Sequence, residues 1–447
     1  MLALAILLGG FLRLHDLGAH EIMLDEGDSW RVARLESSHV MVELEQHDQG
    51  KLPIYFLMLH GWIRLFGDGL ATMRIPGALL GTVNIFLVFA LMRTLLTLFA
   101  EGADPSLIET ACVAAALFMA TNTTMMAVDR TVRMYTFVVA MELLQTLFFV
   151  RSVKHGRTID AGAATLFGAL AIAGNYTAVM LLFSEGVWLL VVAAGRSRLP
   201  RLAQMWFWPP VLALVGSALI VAVPIFIATN RFDPRVVNAV ISYAPQPVWW
   251  PIADAGFHLG NVVAVLACVS LIGIRGRFGV GIGFLSFCFF GPNLIVWTIS
   301  ETITPFEMFR YLLIAFVAAM CLAAIFLAST IPYAMVVAAA IALSCLFTPY
   351  RYWDLPVAWR EAASAAERLN TGRGQVAVAP WFAESVVRYY YPEARRAEVV
   401  GTGGCGGAPF LILSGLQYDQ RGLRAKLTAC YPNILWRENY VELRGRE

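Results

Sequence analysis

The sequence predicts an α-helical polytopic membrane protein carrying a small α/β domain at its C-terminal end, and three observations carry that prediction. Of 447 residues, 59% are hydrophobic and only 14% charged, with a mean hydropathy of +0.67; a soluble domain carries about 25% charged residues. Apolar runs of about 17–25 residues, the length that crosses a bilayer, recur down to residue 348. Beyond residue 349 the runs stop, and short amphipathic and strand-like segments alternate, the pattern of a small α/β layer. The chain therefore divides into a membrane module, 1–348, and a polar domain, 349–447. The net charge of +2 gives no argument for a nucleic-acid partner, while 12 Trp and 14 Tyr suit interfacial belts.

Taken in order, Met1–Leu14 is apolar but short for a span, and it lacks the basic start and A-x-A site of a cleavable signal peptide. A loop over 15–69 follows, holding the polar passage Leu24-Asp25-Glu26-Gly27-Asp28-Ser29-Trp30. Asp28 is placed to cap a helix beginning at Ser29. The run over 52–66 carries His60 and Arg64 and reads as an amphipathic helix at the membrane surface. Later spans fall near 70–95, 107–127, 132–150, 160–175, 177–195, 205–229, 257–274, 278–299, 309–328 and 331–348. With the first helix they make about eleven transmembrane helices.

The basic residues orient these spans. Arg93, then Arg151, Lys154 and Arg157, then Arg196, Arg198 and Arg201, then Arg275 and Arg277 fall at alternate ends of the helices. The positive-inside rule puts all four groups in the cytoplasm. Loops 15–69, 128–131, 230–256 and 300–308, and the tail from Pro349, then lie outside. In that tail Leu355–Leu369 and Ala383–Tyr391 read as helices, and Gln375–Ala379, Pro409–Ser414 and Asn433–Leu443 as strands. The Gly401–Gly407 passage is a loop without nucleotide-binding context. Of seven cysteines, Cys112, Cys268, Cys288, Cys321 and Cys345 sit in apolar runs, while Cys405 and Cys430 could pair if the tail is outside.

The polar residues with chemical potential share the outer side. Asp25, Glu26, Asp28, Arg31 and Lys51 come from the first loop, Asp129, Arg130, Arg133 and Tyr135 from the turn at the top of the 107–127 span, and Glu307, Arg310 and Tyr311 from the top of the 309–328 span. A carboxylate can take a proton from an acceptor hydroxyl, and Lys and Arg can neutralise a departing phosphate. Arg74 reads either as a phosphate contact or as a side chain snorkelling to the headgroups. Glu142 and Glu185 lie inside spans, where a carboxylate is costly, and receive no role; the amides of Asn84, Gln145 and Asn175 suit interhelical hydrogen bonds. The Trp249-Trp250 pair suits an interfacial anchor and sits with His258 in an outer loop.

On these segments the chain resembles the GT-C-type glycosyltransferases that use polyprenyl-phosphate sugars, nearest the protein mannosyltransferase and aminoarabinose transferase branches. The carriers of the resemblance are MLDEGDSW, GKLPIYFLMLHGWIRLFGDG, Met73-Arg74-Ile75-Pro76, AVDRTVRMYTF, PFEMFRYLLIAF and VAWREAA, in that order. The resemblance implies Asp25 as general base toward the acceptor, Glu26 as its neighbour and Asp129 as a second acid. It implies Lys51, Arg310, Arg74 and Arg133 as contacts to the donor phosphate, and Tyr55, Tyr135 and Tyr311 as substrate contacts. Leu52 departs from the pattern, standing where the family more often has a proline.

The expected activity is inverting transfer of a sugar from a polyprenyl-phosphate carrier to a hydroxyl of a lipid, glycan or protein outside the cytoplasm, at the inner (plasma) membrane. No cofactor is expected. A divalent metal between Asp25 and Asp129 ranks lower, because no His or further carboxylate stands at ligand spacing. The alternatives are a lipid or sugar transporter or flippase, which predicts inverted repeats absent from this sequence, and a non-catalytic scaffold for envelope polysaccharide assembly.

Overall fold

The structure is a computed structural model, and it describes the chain apart from residues 48–51, 101, 196–207, 229–262, 264, 268, 270–278, 303–308, 348–357, 371–374, 380–382, 397–398, 401–403, 406–407, 415–422, 440 and 447. Lys51, Glu307, Cys268, His258, the Trp249-Trp250 pair and most of the expected 257–274 span lie outside the described residues. The helices are α1 (Leu2–Leu14), α2 (Leu24–Ala33), α3 (Ser37–His47), α4 (Ile54–Phe66), α5 (Leu70–Phe99), α6 (Pro105–Thr121), α7 (Thr123–Asp129), α8 (Tyr135–His155), α9 (Thr158–Gly174), α10 (Val179–Gly195) and α11 (Trp208–Ala228). They continue as α12 (Gly279–Thr302), α13 (Leu313–Thr330), α14 (Ala334–Leu346), α15 (Trp359–Leu369), α16 (Glu384–Tyr390) and α17 (Leu423–Cys430). Among the described residues five helices are long and apolar enough to cross a membrane, or six if the bent α6–α7 pair counts as one span; five shorter apolar helices accompany them. The chain is a multi-pass membrane protein.

Two compact units form. One contains Met1–His15, Ser37–Met58 and Arg74–Tyr350; the other contains Asp16–Glu36, Leu59–Met73 and Arg351–Glu447. In the first, α6 is packed by α1, α13 and α14, and α8, α9 and α11 pack together. Alanines 111, 114, 115, 116 and 120 of α6 are buried, and such small side chains let helix backbones approach where lipid supplies no hydrophobic drive. The expected 107–127 span is broken: α6 ends at Thr121 and α7 leaves it at 60°. Asn122 makes the break, its Oδ1 accepting from the Met125 N–H at 2.9 Å to cap α7.

The second unit holds a five-stranded sheet, β1 (Val376–Ala379), β2 (Ala394–Arg396), β5 (Phe410–Ser414), β6 (Asn433–Glu438) and β7 (Val441–Gly445), in the order β2-β1-β5-β7-β6; β3 (Val399–Val400) and β4 (Gly404–Cys405) pair separately. β1 runs parallel to β2 and β5, and β7 antiparallel to β5 and β6. The single strand expected over Asn433–Leu443 is a hairpin, turned at Asn439 with φ of 51°, a left-handed conformation that Asn tolerates. Val376, Val378, Leu411 and Ile412 are buried in the sheet. Cys430 is disulfide-bonded, and the side chain of Cys405 lies outside the described residues.

Pro76 sits inside α5 and cannot donate to the Thr72 carbonyl one turn back. The Trp62 indole N–H supplies that missing bond at 2.9 Å, fixing the end of α4 against the start of α5.

Candidate functional site

The passage around Asp25 is a helix rather than a loop, and this corrects the expected cap: α2 begins at Leu24 behind Met23, so Asp28 lies inside it. Glu26 is fully buried and turns back to accept from the Met23 N–H at 2.9 Å, satisfying one of the four open donors of a helix start. Asp25 is half-buried on the same first turn. α2 rests on α16: a side chain added at Gly27 would meet the Val386 N at 2.9 Å, so only glycine allows this approach. Asp28 Oδ1 accepts from the Ser385 hydroxyl at 2.8 Å. Trp30 meets Tyr389 edge-on at 5.2 Å and donates to Asp68 Oδ2 at 3.1 Å, while the Tyr389 hydroxyl donates to the Asp68 carbonyl.

Glu21, just before α2, accepts from the Trp359 N–H at 2.8 Å and from the Arg360 N–H, capping α15, whose own Ala358 has no side chain to do so. The Tyr390 hydroxyl accepts from the Ile22 N–H at 3.1 Å, and the Arg360 guanidinium lies 5.5 Å from the Tyr390 ring centre. Burial, then the nearby Glu361 carboxyl, push the Glu21 carboxyl up to about 7 against the opposing pull of the two backbone N–H groups.

In the other unit, Asp129 ends α7 and is buried. Its Oδ2 accepts from Arg13 Nε at 2.7 Å and its Oδ1 from the Thr136 hydroxyl at 2.9 Å. Arg13, on α1, also donates to the carbonyls of Met119 and Ala120 at 2.9 Å each. Those carbonyls belong to the last turn of α6, which has no helical donors of its own. Arg130 returns the arrangement, donating to the carbonyls of Leu12 and His15 at the end of α1 at 3.1 and 2.8 Å. Gly77 and Gly81 of α5 lie directly on Asp129, leaving no room for a side chain at either position. Arg13 and Thr136 were not singled out in the sequence; a lone arginine at the end of an apolar helix reads there as a headgroup anchor.

Above α8 the expected phosphate and aromatic residues come together. The guanidinium carbons of Arg133 and Arg310 each lie 5.8 Å from the centre of the Tyr135 ring, within cation–π range. Tyr311 stands 6.5 Å from Tyr135 at 62°. Burial raises the Tyr311 phenol above its ordinary range, Tyr135 adds to the effect, and Arg310 and Arg133 oppose it. Arg133 is only 5% exposed. Arg74 is buried at 4% rather than snorkelling to headgroups, and Tyr55 packs against the same hydrophobic core, edge-on to Phe56 at 5.6 Å. Among the described residues no three His, Cys, Asp or Glu side chains gather as metal ligands would.

Residues 50–228 match the family model described as dolichyl-phosphate-mannose-protein mannosyltransferase. No curated relative matches the sequence. Among solved structures, ArnT from Cupriavidus metallidurans bound to undecaprenyl phosphate aligns over 100% of this chain and 97% of its own, with a TM-score of 0.60 at 12% identity. The oligosaccharyltransferase AglB from Archaeoglobus fulgidus, in complex with an inhibitory peptide and a dolichol-phosphate, aligns over 96% of this chain and 70% of its own, with a TM-score of 0.56 at 12% identity. At such identities the likeness is one of fold. The resemblance read from the motifs is thereby borne out: the chain has the fold of the GT-C glycosyltransferases.

Proposed function

We propose that the protein is an inverting glycosyltransferase that moves one sugar from a polyprenyl-phosphate carrier to a hydroxyl of a lipid, glycan or protein outside the cytoplasm. The observation that carries this reading is the placing of Arg133 and Arg310, distant in sequence, over the one ring of Tyr135. Two guanidiniums each 5.8 Å from the centre of one aromatic ring, that of Arg133 deeply buried, are the cations a phosphate would call for. The match to a family named for dolichyl-phosphate-mannose transfer, and the undecaprenyl phosphate and dolichol-phosphate in the two structural neighbours, support a lipid phosphate as that ligand.

In the reaction, the acceptor oxygen attacks the anomeric carbon as the bond from that carbon to the carrier's phosphate oxygen breaks. The bonding pair leaves with the phosphate, whose charge Arg133 and Arg310 neutralise, with Arg74 and Lys51 as the further phosphate contacts that the resemblance implies. Asp25 takes the acceptor's proton, a step that general-base catalysis speeds by roughly 10²–10⁴-fold. Attack opposite the leaving phosphate inverts the anomeric configuration. Tyr55, Tyr135 and Tyr311 supply faces against which sugar or isoprene packs. Asp129, locked by Arg13 and Thr136, shapes the turn that presents Arg133 and Tyr135.

The experiment is turnover in native membranes stripped of the endogenous enzyme, which supply both carrier lipid and acceptor, read as release of polyprenyl phosphate. The wild-type protein should release it, and Asp25→Asn should slow release by roughly 10²–10⁴-fold with unchanged thermal unfolding. Equal release by both would remove Asp25 from the chemistry, and no release by either would argue against a transferase.

A further inference from the structure

Two carboxyl groups lie inside the helix bundle, away from the residues used above. Glu185 on α10 is fully buried, and its two oxygens accept from Gln145 Nε2 at 2.7 Å and from the Thr146 hydroxyl at 2.9 Å, both on α8. Glu142, one turn earlier on α8, is 6% exposed and makes no hydrogen bond or ion pair with a described residue. Its electrostatic neighbour is Glu185. Neither carboxyl has Lys, Arg or His as an electrostatic partner among the described residues. The other titratable group interacting with both is the Cys288 thiol of α12, itself beside Cys321 of α13. α12 presses closely here: a side chain at Gly291 would strike Ser184. Pro292 also leaves the Cys288 carbonyl without its helical N–H.

Two negative charges cannot stand side by side in a bundle interior without a counter-charge, because each costs several kcal/mol to desolvate and they repel. Gln145 and Thr146, which donate to Glu185, stand three and four residues after Glu142 on α8, so Glu142 shares their side of the helix. A single proton on Glu142 makes its carboxyl a donor that Glu185 can accept and removes the second charge. We propose that Glu142 and Glu185 form an intramembrane proton-binding site, sharing one exchangeable proton. It lies about two helical turns, roughly 10 Å, along α8 from Tyr135, on the same helix face, since seven residues return to nearly the same direction.

The test uses the full-length protein in lipid nanodiscs and two probes. The infrared difference between wild type and E142Q/E185Q should contain a carboxylic-acid carbonyl stretch that shifts in D₂O. Dicyclohexylcarbodiimide, which is apolar, should add to one of the two glutamates. The carboxyl proton goes to a carbodiimide nitrogen, the carboxyl oxygen to its central carbon, and acyl migration leaves a stable N-acylurea with nothing expelled. Peptide mapping should place the adduct on Glu142 or Glu185 and find it absent from E142Q/E185Q. E142Q and E185Q taken singly should shift the band rather than abolish it, which keeps the test open if the double variant does not fold. A difference spectrum holding only carboxylate stretches would overturn the proposal whether or not the reagent reaches the site. So would a carboxylic-acid band that sodium or potassium chloride removes, since the ligand would then be a metal cation.

Discussion

Arg13 shows how much one side chain can settle. Its guanidinium spends every face on protein: Asp129 on one edge, the last carbonyls of α6 on the other, and the Gly9 carbonyl at 3.2 Å. Arg13→Ala leaves a buried carboxylate without its cation, which typically costs about 3–5 kcal/mol. Thermal unfolding in detergent should fall accordingly, and Asp129→Asn in the Arg13→Ala background should recover much of the loss. If the double variant is no more stable than Arg13→Ala, the pair is not what holds the turn. None of this was legible in the sequence. The partners are 116 residues apart, and an ion pair closed across two helices leaves no local pattern. Asp129 was visible as an acid in a turn, but its partner was not.

The elements were legible in proportion to how local their causes are. α5, α8, α9 and α13 follow the expected runs because a long apolar stretch needs only a bilayer to become a helix. β1 and β5 were readable from short apolar runs bounded by turn residues. The helical state of Asp25 was hidden, because α2 takes its cap from Met23 and Glu26 and its support from α16, far along the chain. The same long reach ties Glu21 to α15, 338 residues away. Folding holds a proton on Glu21 between the ordinary carboxylate value of 4.5 and about 7, where the unfolded chain has lost it. The folded state then binds more protons than the unfolded one, so stability falls as pH rises through that window and levels off above it. Thermal unfolding from pH 4.5 to 8 should show this decline, and Glu21→Gln should flatten it. An equal slope in the variant would assign the pH dependence to another group.

At the scale of the whole molecule, the sequence already gathered the expected chemistry on one side of the membrane through its alternating basic clusters. Arg133, Tyr135, Arg310 and Tyr311, expected together on topology alone, do converge in space. Their use as a phosphate receptor is the claim on which the proposed activity rests. The most direct measurement is native mass spectrometry of the detergent-purified protein beside Arg133→Ala/Arg310→Ala, reading the lipid each retains. The account predicts a polyprenyl-phosphate species, with or without a sugar, on the wild type and its loss from the variant. Ordinary phospholipids alone on both, or the same polyprenyl phosphate on both, would contradict the assignment of these arginines to the donor's phosphate.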